Sequence, residues 1–134
     1  MKQYIPIHFT WQELMPSAEY AHYWLILMDD RILMTLDAIR MHYKRPVHVN
    51  NWHLGGKFSL RGFRPMTGKV GAKFSQHRFG RAVDFDVDGI PAEQVRNDIR
   101  SGLFPLITCI EADVNWVHID VRNETRLYEA PKPV

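Results

Sequence analysis

The chain has a single cysteine, Cys109, which excludes an internal disulfide and any metal site built on several thiolates. No hydrophobic run approaches the roughly 18 residues that a membrane-spanning helix needs, and no membrane partner is expected. Nor does an apolar stretch of the secretory kind follow Met1-Lys2-Gln3-Tyr4-Ile5-Pro6, so synthesis in the cytoplasm without a signal peptide is expected. Internal repeats, low-complexity tracts and linkers are absent. With 134 residues, the expectation is one domain over 1–134, large enough to bury a core. Apolar residues at 46% and charged ones at 24% suit a soluble globular protein, expected to be a monomer.

Acidic residues are missing from Asn51 to Arg81, where seven basic ones stand: Lys57, Arg61, Arg64, Lys69, Lys73, Arg78 and Arg81. From Ala82 to Asp120 the balance reverses, with eight acidic residues against Arg96 and Arg100. A basic segment facing an acidic one suits a substrate that carries carboxylates. The basic residues lack the helical spacing or motif of a nucleic-acid-binding element, so no nucleic-acid partner is expected.

Thr10-Trp11-Gln12-Glu13 reads as a capping box opening a short helix that stops near Pro16. Ser17 is then expected to cap a long helix to about Tyr43. Leu25, Met28, Ile32, Leu36, Ile39 and Tyr43 recur on it at intervals of three and four. Pro46 ends that helix, and Val47 and Val49 begin a strand. Asn51 to Phe74, rich in glycine, reads as a long functional loop. Ala82 to Val87 is the clearest strand, with Val83, Phe85 and Val87 on one face and Ala82, Asp84 and Asp86 on the other. Ile90-Pro91-Ala92-Glu93 starts a second helix whose inner face is Val95, Ile99 and Leu103. Leu106 to Glu111 and Asn115 to Val121 form a hairpin around Asp113-Val114, and the tail after Asn123 is peripheral. The fold class expected is α+β: a small antiparallel sheet with a metal site on one face and the long N-terminal helix packed on the other.

Two pieces carry the chemistry. Ser75-Gln76-His77-Arg78-Phe79-Gly80-Arg81-Ala82-Val83-Asp84 is answered by Trp116-Val117-His118-Ile119-Asp120. His77, Asp84 and His118 make two imidazoles and a carboxylate, the kind of set that holds one catalytic zinc while leaving a position for water. Asp84 alone would read as a salt bridge to Arg78 or Arg81. With His118 present, a shared metal explains the carboxylate better, because an unpaired charge on that strand is costly to desolvate. Ser75, Asp86 and Asp120 suit a supporting role, since ligating histidines donate their other ring N–H to a carboxylate or carbonyl.

The pattern Ser-x-His-x-x-Gly-x-Ala-x-Asp, followed by a strand with Trp-Val-His-x-Asp, resembles the D-alanyl-D-alanine carboxypeptidase-type zinc metallopeptidases. These include D-Ala-D-Ala dipeptidases, the L-alanyl-D-glutamate endopeptidases of phage endolysins and, as a relative, the zinc domain of hedgehog signalling proteins. The resemblance is to the short phage and prophage branch. It reaches upstream through Val47-His48-Val49-Asn50-Asn51-Trp52, Gly55-Gly56 and Arg61-Gly62-Phe63-Arg64, about the last two-thirds of the chain. It implies one zinc ion, held by His77, Asp84 and His118. The implied reaction is hydrolysis of peptide bonds in bacterial peptidoglycan, reached with a holin or from within a virion. It also implies a substrate contact from Arg64, in the family's Ser-Gly-x-Arg segment with Arg61 in place of the serine; Arg61, Ser75 and Trp116 are further candidates for substrate contact, Trp116 as a wall of the cleft.

One position departs from the family. The carboxylate that serves as base there stands three residues before the second histidine, where this chain has Asn115. Hairpin geometry offers Glu111 instead. A two-residue turn at Asp113-Val114 would pair Glu111 with Trp116 and Cys109 with His118, placing Glu111 diagonally from His118 on the same face. Asp113 is the second candidate, though turn formation explains it equally. A non-catalytic, zinc-stabilised binding or virion module of the same fold is the alternative reading.

Overall fold

The structure, a computed structural model, describes residues 3–132. Its centre is a five-stranded sheet in the order β1-β2-β4-β3-β5. The strands are β1 (Val47–His48), β2 (Ala82–Val87), β3 (Cys109–Glu111), β4 (Val117–Asp120) and β5 (Tyr128–Ala130). Pairing is antiparallel throughout β1-β2-β4-β3, but β3 and β5 run parallel. The architecture is therefore α+β with a mixed sheet, and the expectation of a purely antiparallel one is corrected. The segment after Asn123 supplies the extra strand: Tyr128 N–H donates to Thr108 O and Ala112 N–H to Ala130 O. It covers an edge that would otherwise present unpaired backbone groups.

The expected long helix from Ser17 to Tyr43 is not one element. A 3-10 turn (Ala18–Tyr20) and a short helix, α2 (Trp24–Leu27), precede α3 (Asp30–Tyr43), while α1 is Trp11–Leu14. The interruption has a local cause. Met28 and Asp29 are extended, and the Asp29 carboxylate accepts from Arg31 N–H, capping α3. Such a capping aspartate starts a helix rather than continuing one. A tertiary contact adds to it, because Asp29 N–H donates to Gly80 O at 2.9 Å. Gly80, at φ +67°, lies so close to the Leu27 carbonyl that a Cβ would overlap it. The interruption between α2 and α3 is thus the seat for the turn that carries His77.

Helix α3 packs on β1 and β2, and α4 (Ala92–Arg100) on β4. Ile32, Leu33, Leu36 and Ile39 from α3 meet Val83 and Phe85 of β2, Ile110 of β3 and Ile119 of β4 in one core. Each such side chain contributes roughly 1.5–3 kcal/mol of hydrophobic stabilisation. Tyr4 O–H, Ile7 N–H and His8 N–H all donate to the buried carboxylate of Asp37, tying the N-terminal segment to α3. Pro91 stands at the N-terminal boundary of α4, whose inner face holds Val95 and Ile99 as expected. Leu103 falls beyond the helix end and is exposed, as is Leu106, so β3 begins later than the pattern suggests. Asn51 to Phe74 carries no strand and only a 3-10 turn (Trp52–Leu54), as the loop reading expects.

Candidate metal and active site

Each residue of the triad is placed by backbone structure. Asp84 on β2 lies directly opposite His118 on β4. His77 sits on the 3-10 turn Gln76–Phe79 just before β2, where Ser75 caps the turn by accepting from His77 N–H. The reversal from turn to strand passes through Gly80 in the left-handed region, where glycine has no steric penalty. All three side chains are buried, at 2%, 8% and 5% exposure for His77, Asp84 and His118. Their ligand atoms lie within 4.8 Å of one another.

The hydrogen bonds around the triad select which atoms face inward. His77 Nδ1–H donates to Gly62 O at 2.9 Å, leaving Nε2 toward Asp84 Oδ2 at 3.4 Å. His118 Nε2–H donates to Asp120 Oδ2 at 2.8 Å, leaving Nδ1 toward Asp84 Oδ1 at 2.8 Å. Both rings are thus oriented from behind, one by a backbone carbonyl and one by a carboxylate, as ligating histidines are. Two nitrogens and a carboxylate oxygen, preoriented in a buried pocket, fit zinc with a position left for water. Nothing in the donor set calls for a different group.

The charges reinforce one another. Burial pushes Asp84 up, but the adjacent His118 and His77 imidazoles outweigh it and hold the carboxyl well below the usual range. Burial lowers His118, yet hydrogen bonds to Asp120 and Asp84 dominate and raise it to about 9. Asp120 is also pushed up by burial, and Arg122 and His118 overcome that to bring it to about 2. Arg122 donates to Asp120 through Nε and Nη2 at 2.8 and 2.6 Å. The sole thiol, Cys109, is raised to about 12 mainly by burial.

Glu111 lines the triad cavity, and its Oε1 lies 3.9 Å from His118 Nδ1. The observed register pairs Cys109 with Asp120 and Ile110 with Ile119, not Cys109 with His118. Continued by one residue, it sets Glu111 directly across from His118, closer than the expected diagonal. The connection is longer than two residues, but the shift is an even number of positions, so Glu111 keeps its face. Asp113 is an exposed turn residue at φ +58°, away from the cavity.

Arg64 reaches the triad, with Nη2 3.3 Å from Asp84 Oδ2 and Nε donating to Leu60 O. Ser75 and Trp116 line the cavity. Arg61 and Asp86 instead pair with each other at 3.0 Å in an adjoining recess. Asp86 therefore hydrogen-bonds neither triad histidine, contrary to the expectation from its strand face; Arg61 has captured it. Neither Arg78 nor Arg81 pairs with Asp84. Arg78 donates to the carbonyls of Met66, Gly68 and Lys73, fastening the loop that walls the cavity. Arg81 donates to Val121 O.

Sequence reasoning missed Arg122 and Arg96. The buried Arg96 of α4 donates to Val114 O and Trp116 O, holding the β3–β4 connection beside the site. Its signal, a lone arginine on an otherwise apolar helix face at Val95 and Ile99, is detectable only in hindsight. Arg122 stands two residues after Asp120, on the same face if the strand continues, and could have been found by extending the alternation.

Searches of curated proteins and of solved structures give no match. A family model described as Peptidase M15 matches residues 8–120, from ahead of α1 to the end of β4. That span contains the triad, Arg64 and Glu111, and the chain belongs to the peptidase M15 family.

Proposed function

We propose that this protein is a zinc-dependent peptidase that hydrolyses peptide bonds in bacterial peptidoglycan, in the manner of the phage and prophage enzymes. The observation that carries the reading is the convergence of His77 Nε2, an Asp84 carboxylate oxygen and His118 Nδ1 in one buried pocket beside a carboxylate, in a chain of the M15 family. When bound there, zinc supplies Lewis acidity to the scissile carbonyl and to the attacking water. Glu111 takes the proton from that water and delivers it to the leaving amine. Arg64 presents its guanidinium to the oxygen on which negative charge develops. Ser75 fixes the turn bearing His77, and Trp116 walls the cleft.

Replacing His77 or His118 by alanine removes zinc and lysis of purified cell walls together, as metal analysis and a turbidity assay will show. Lysis retained by either variant overturns the proposal. One observation favours a second reading, a zinc-stabilised binding module without turnover: Asn115 stands where the family has its base. Glu111→Gln separates the two, since a peptidase using Glu111 loses at least about 100-fold in kcat while keeping its zinc.

A further inference from the structure

The solvent face of α3 is apolar where a surface helix is ordinarily polar. Met34, Ala38 and Met41 follow one another along it at intervals of four and three, and all three are exposed. The N-terminal segment widens this stripe. Pro6 is buried while Ile5 and Ile7 are exposed on either side of it, and Ile7 N–H donates to Asp37 of α3 itself. Ile5 and Met34 line one shallow recess, Ile26 of α2 lines the next, and the two recesses share Gln3 and Asp30. Ile7 and Ile26 are each 77% exposed. A contiguous apolar patch of this kind marks a contact site. We infer that it is the interface of a homodimer, in which α3 of one copy packs antiparallel against α3 of a second copy across a two-fold axis near Ala38.

Two features select a second copy as the occupant. One is the distribution of charge. Asp30 stands at the N-terminal end of the stripe, and Lys44 and Arg45 stand just past its C-terminal end. Among the described residues, none of the three forms an ion pair. Antiparallel pairing lays the acidic end of each helix beside the basic end of the other, so the face is its own complement. An anionic lipid surface would instead be repelled at Asp30. The other feature is spacing. Met34 and Met41 lie about 10 Å apart along the helix axis, with the small Ala38 between them. Across the two-fold, Met34 of each copy meets Met41 of the other, and Ala38 lets the axes approach to about 8–10 Å. Helix α3 is only about 21 Å long, so the contact falls at the small end of specific interfaces and the dimer dissociates in the micromolar range. On β2 the residues packed toward α3 are Val83 and Phe85, so Asp84 between them faces away and both clefts stay open in the dimer.

Sedimentation velocity on the full chain, from about 1 to 300 µM, is the test. The expected species is a monomer of 15.8 kDa at the low end of that range and twice that mass at the high end. Met34→Glu places a charge in the apolar contact and weakens association at least about 100-fold. Asp30→Lys alone, or Lys44→Glu with Arg45→Glu, weakens it about tenfold by setting like charges together. An equal mixture of those two variants restores association, since each copy then supplies the end that the other needs. Under mild oxidation, Ala38→Cys is expected to give a disulfide-linked dimer; Cys109 is buried and does not compete. That cross-link keeps the test decisive should Met34→Glu fail to fold, which its thermal melt will show. A chain that stays monomeric throughout overturns the inference, as does a dimer that folded Met34→Glu leaves intact or an Ala38→Cys protein that forms no cross-link. Binding to vesicles of anionic lipid that Met34→Glu abolishes, without dimerisation, overturns it as well and assigns the face to a membrane. None of these readouts depends on hydrolysis or on zinc, so they leave the proposed function untouched.

Discussion

His77 and His118 face the same point from opposite supports. His77 hangs on a 3-10 turn and is oriented by a neutral backbone carbonyl, Gly62 O, from the loop that crosses Leu14. His118 is on a central strand and is oriented by Asp120, itself clamped by Arg122. One imidazole is thus positioned by chain path and the other by a chain of charges. A support made of backbone responds to sterics, whereas one made of ions responds to charge and pH.

The largest effect is expected where chain path is disturbed. A Cβ on Gly62 would lie 2.3 Å from Leu14 O, a backbone atom that cannot rotate aside. Gly62→Ala must displace the carbonyl that holds His77, together with the Phe63 N–H to Leu14 O bond. The expected cost is about 1–3 kcal/mol of stability, as for other overpacked sites, accompanied by weaker zinc binding. Thermal melting and zinc titration check both. A variant with unchanged zinc affinity would show that Gly62 O does not set the His77 ring.

Next comes the ionic support. Asp120→Asn keeps the shape but removes the charge behind His118, and zinc affinity is expected to fall about 10–100-fold, as for other partners of ligating histidines. Competition with a chromogenic chelator measures it. An affinity within a factor of about two of the parent would reduce Asp120 to a partner of Arg122 alone.

The same contrast explains what was legible beforehand. Asp84, His118 and Glu111 lie on neighbouring strands, where alternation with a period of two assigns faces; an even register shift leaves those faces unchanged, so Glu111 survived a wrong turn length. Of the two aspartates offered by the alternation as acceptors for a histidine N–H, Asp120 meets His118 Nε2. Asp86 does not, because face alone does not reveal that Arg61, distant in sequence, would take it. The N-terminal half misled for a different reason. The apolar spacing from Leu25 to Tyr43 continues through Met28, but Asp29-Asp30-Arg31 carries a capping signal, and a contact from Gly80 settles the competition. Strand β5 was illegible because a short exposed edge strand has no buried face to imprint a pattern, and its pairing is through backbone alone.

The last effect is that of pH, and it falls on only one of the two histidines' supports. His118 is raised to about 9 by Asp120 and Asp84 against the opposing effect of burial. Its contribution to stability is fully present below the unfolded value of about 6.5 and is lost as pH rises through 9. Asp84 and Asp120, both depressed, act in the other direction: their contribution is present above about 4 and disappears as pH falls through their lowered values. Protein stripped of metal by a chelator should therefore be most stable between about pH 4 and 6.5, with Tm declining toward pH 9. Held as proposed, zinc would displace the His118 proton, so its affinity should climb about tenfold per pH unit up to about 9 and then level off. Asp120→Asn lowers the His118 pKa and so should move that levelling-off toward neutrality, while Gly62→Ala should leave its position unchanged. Zinc titrations of the parent and both variants from pH 6 to 10 test this, and a common levelling-off point in all three would show that the charge chain does not govern His118.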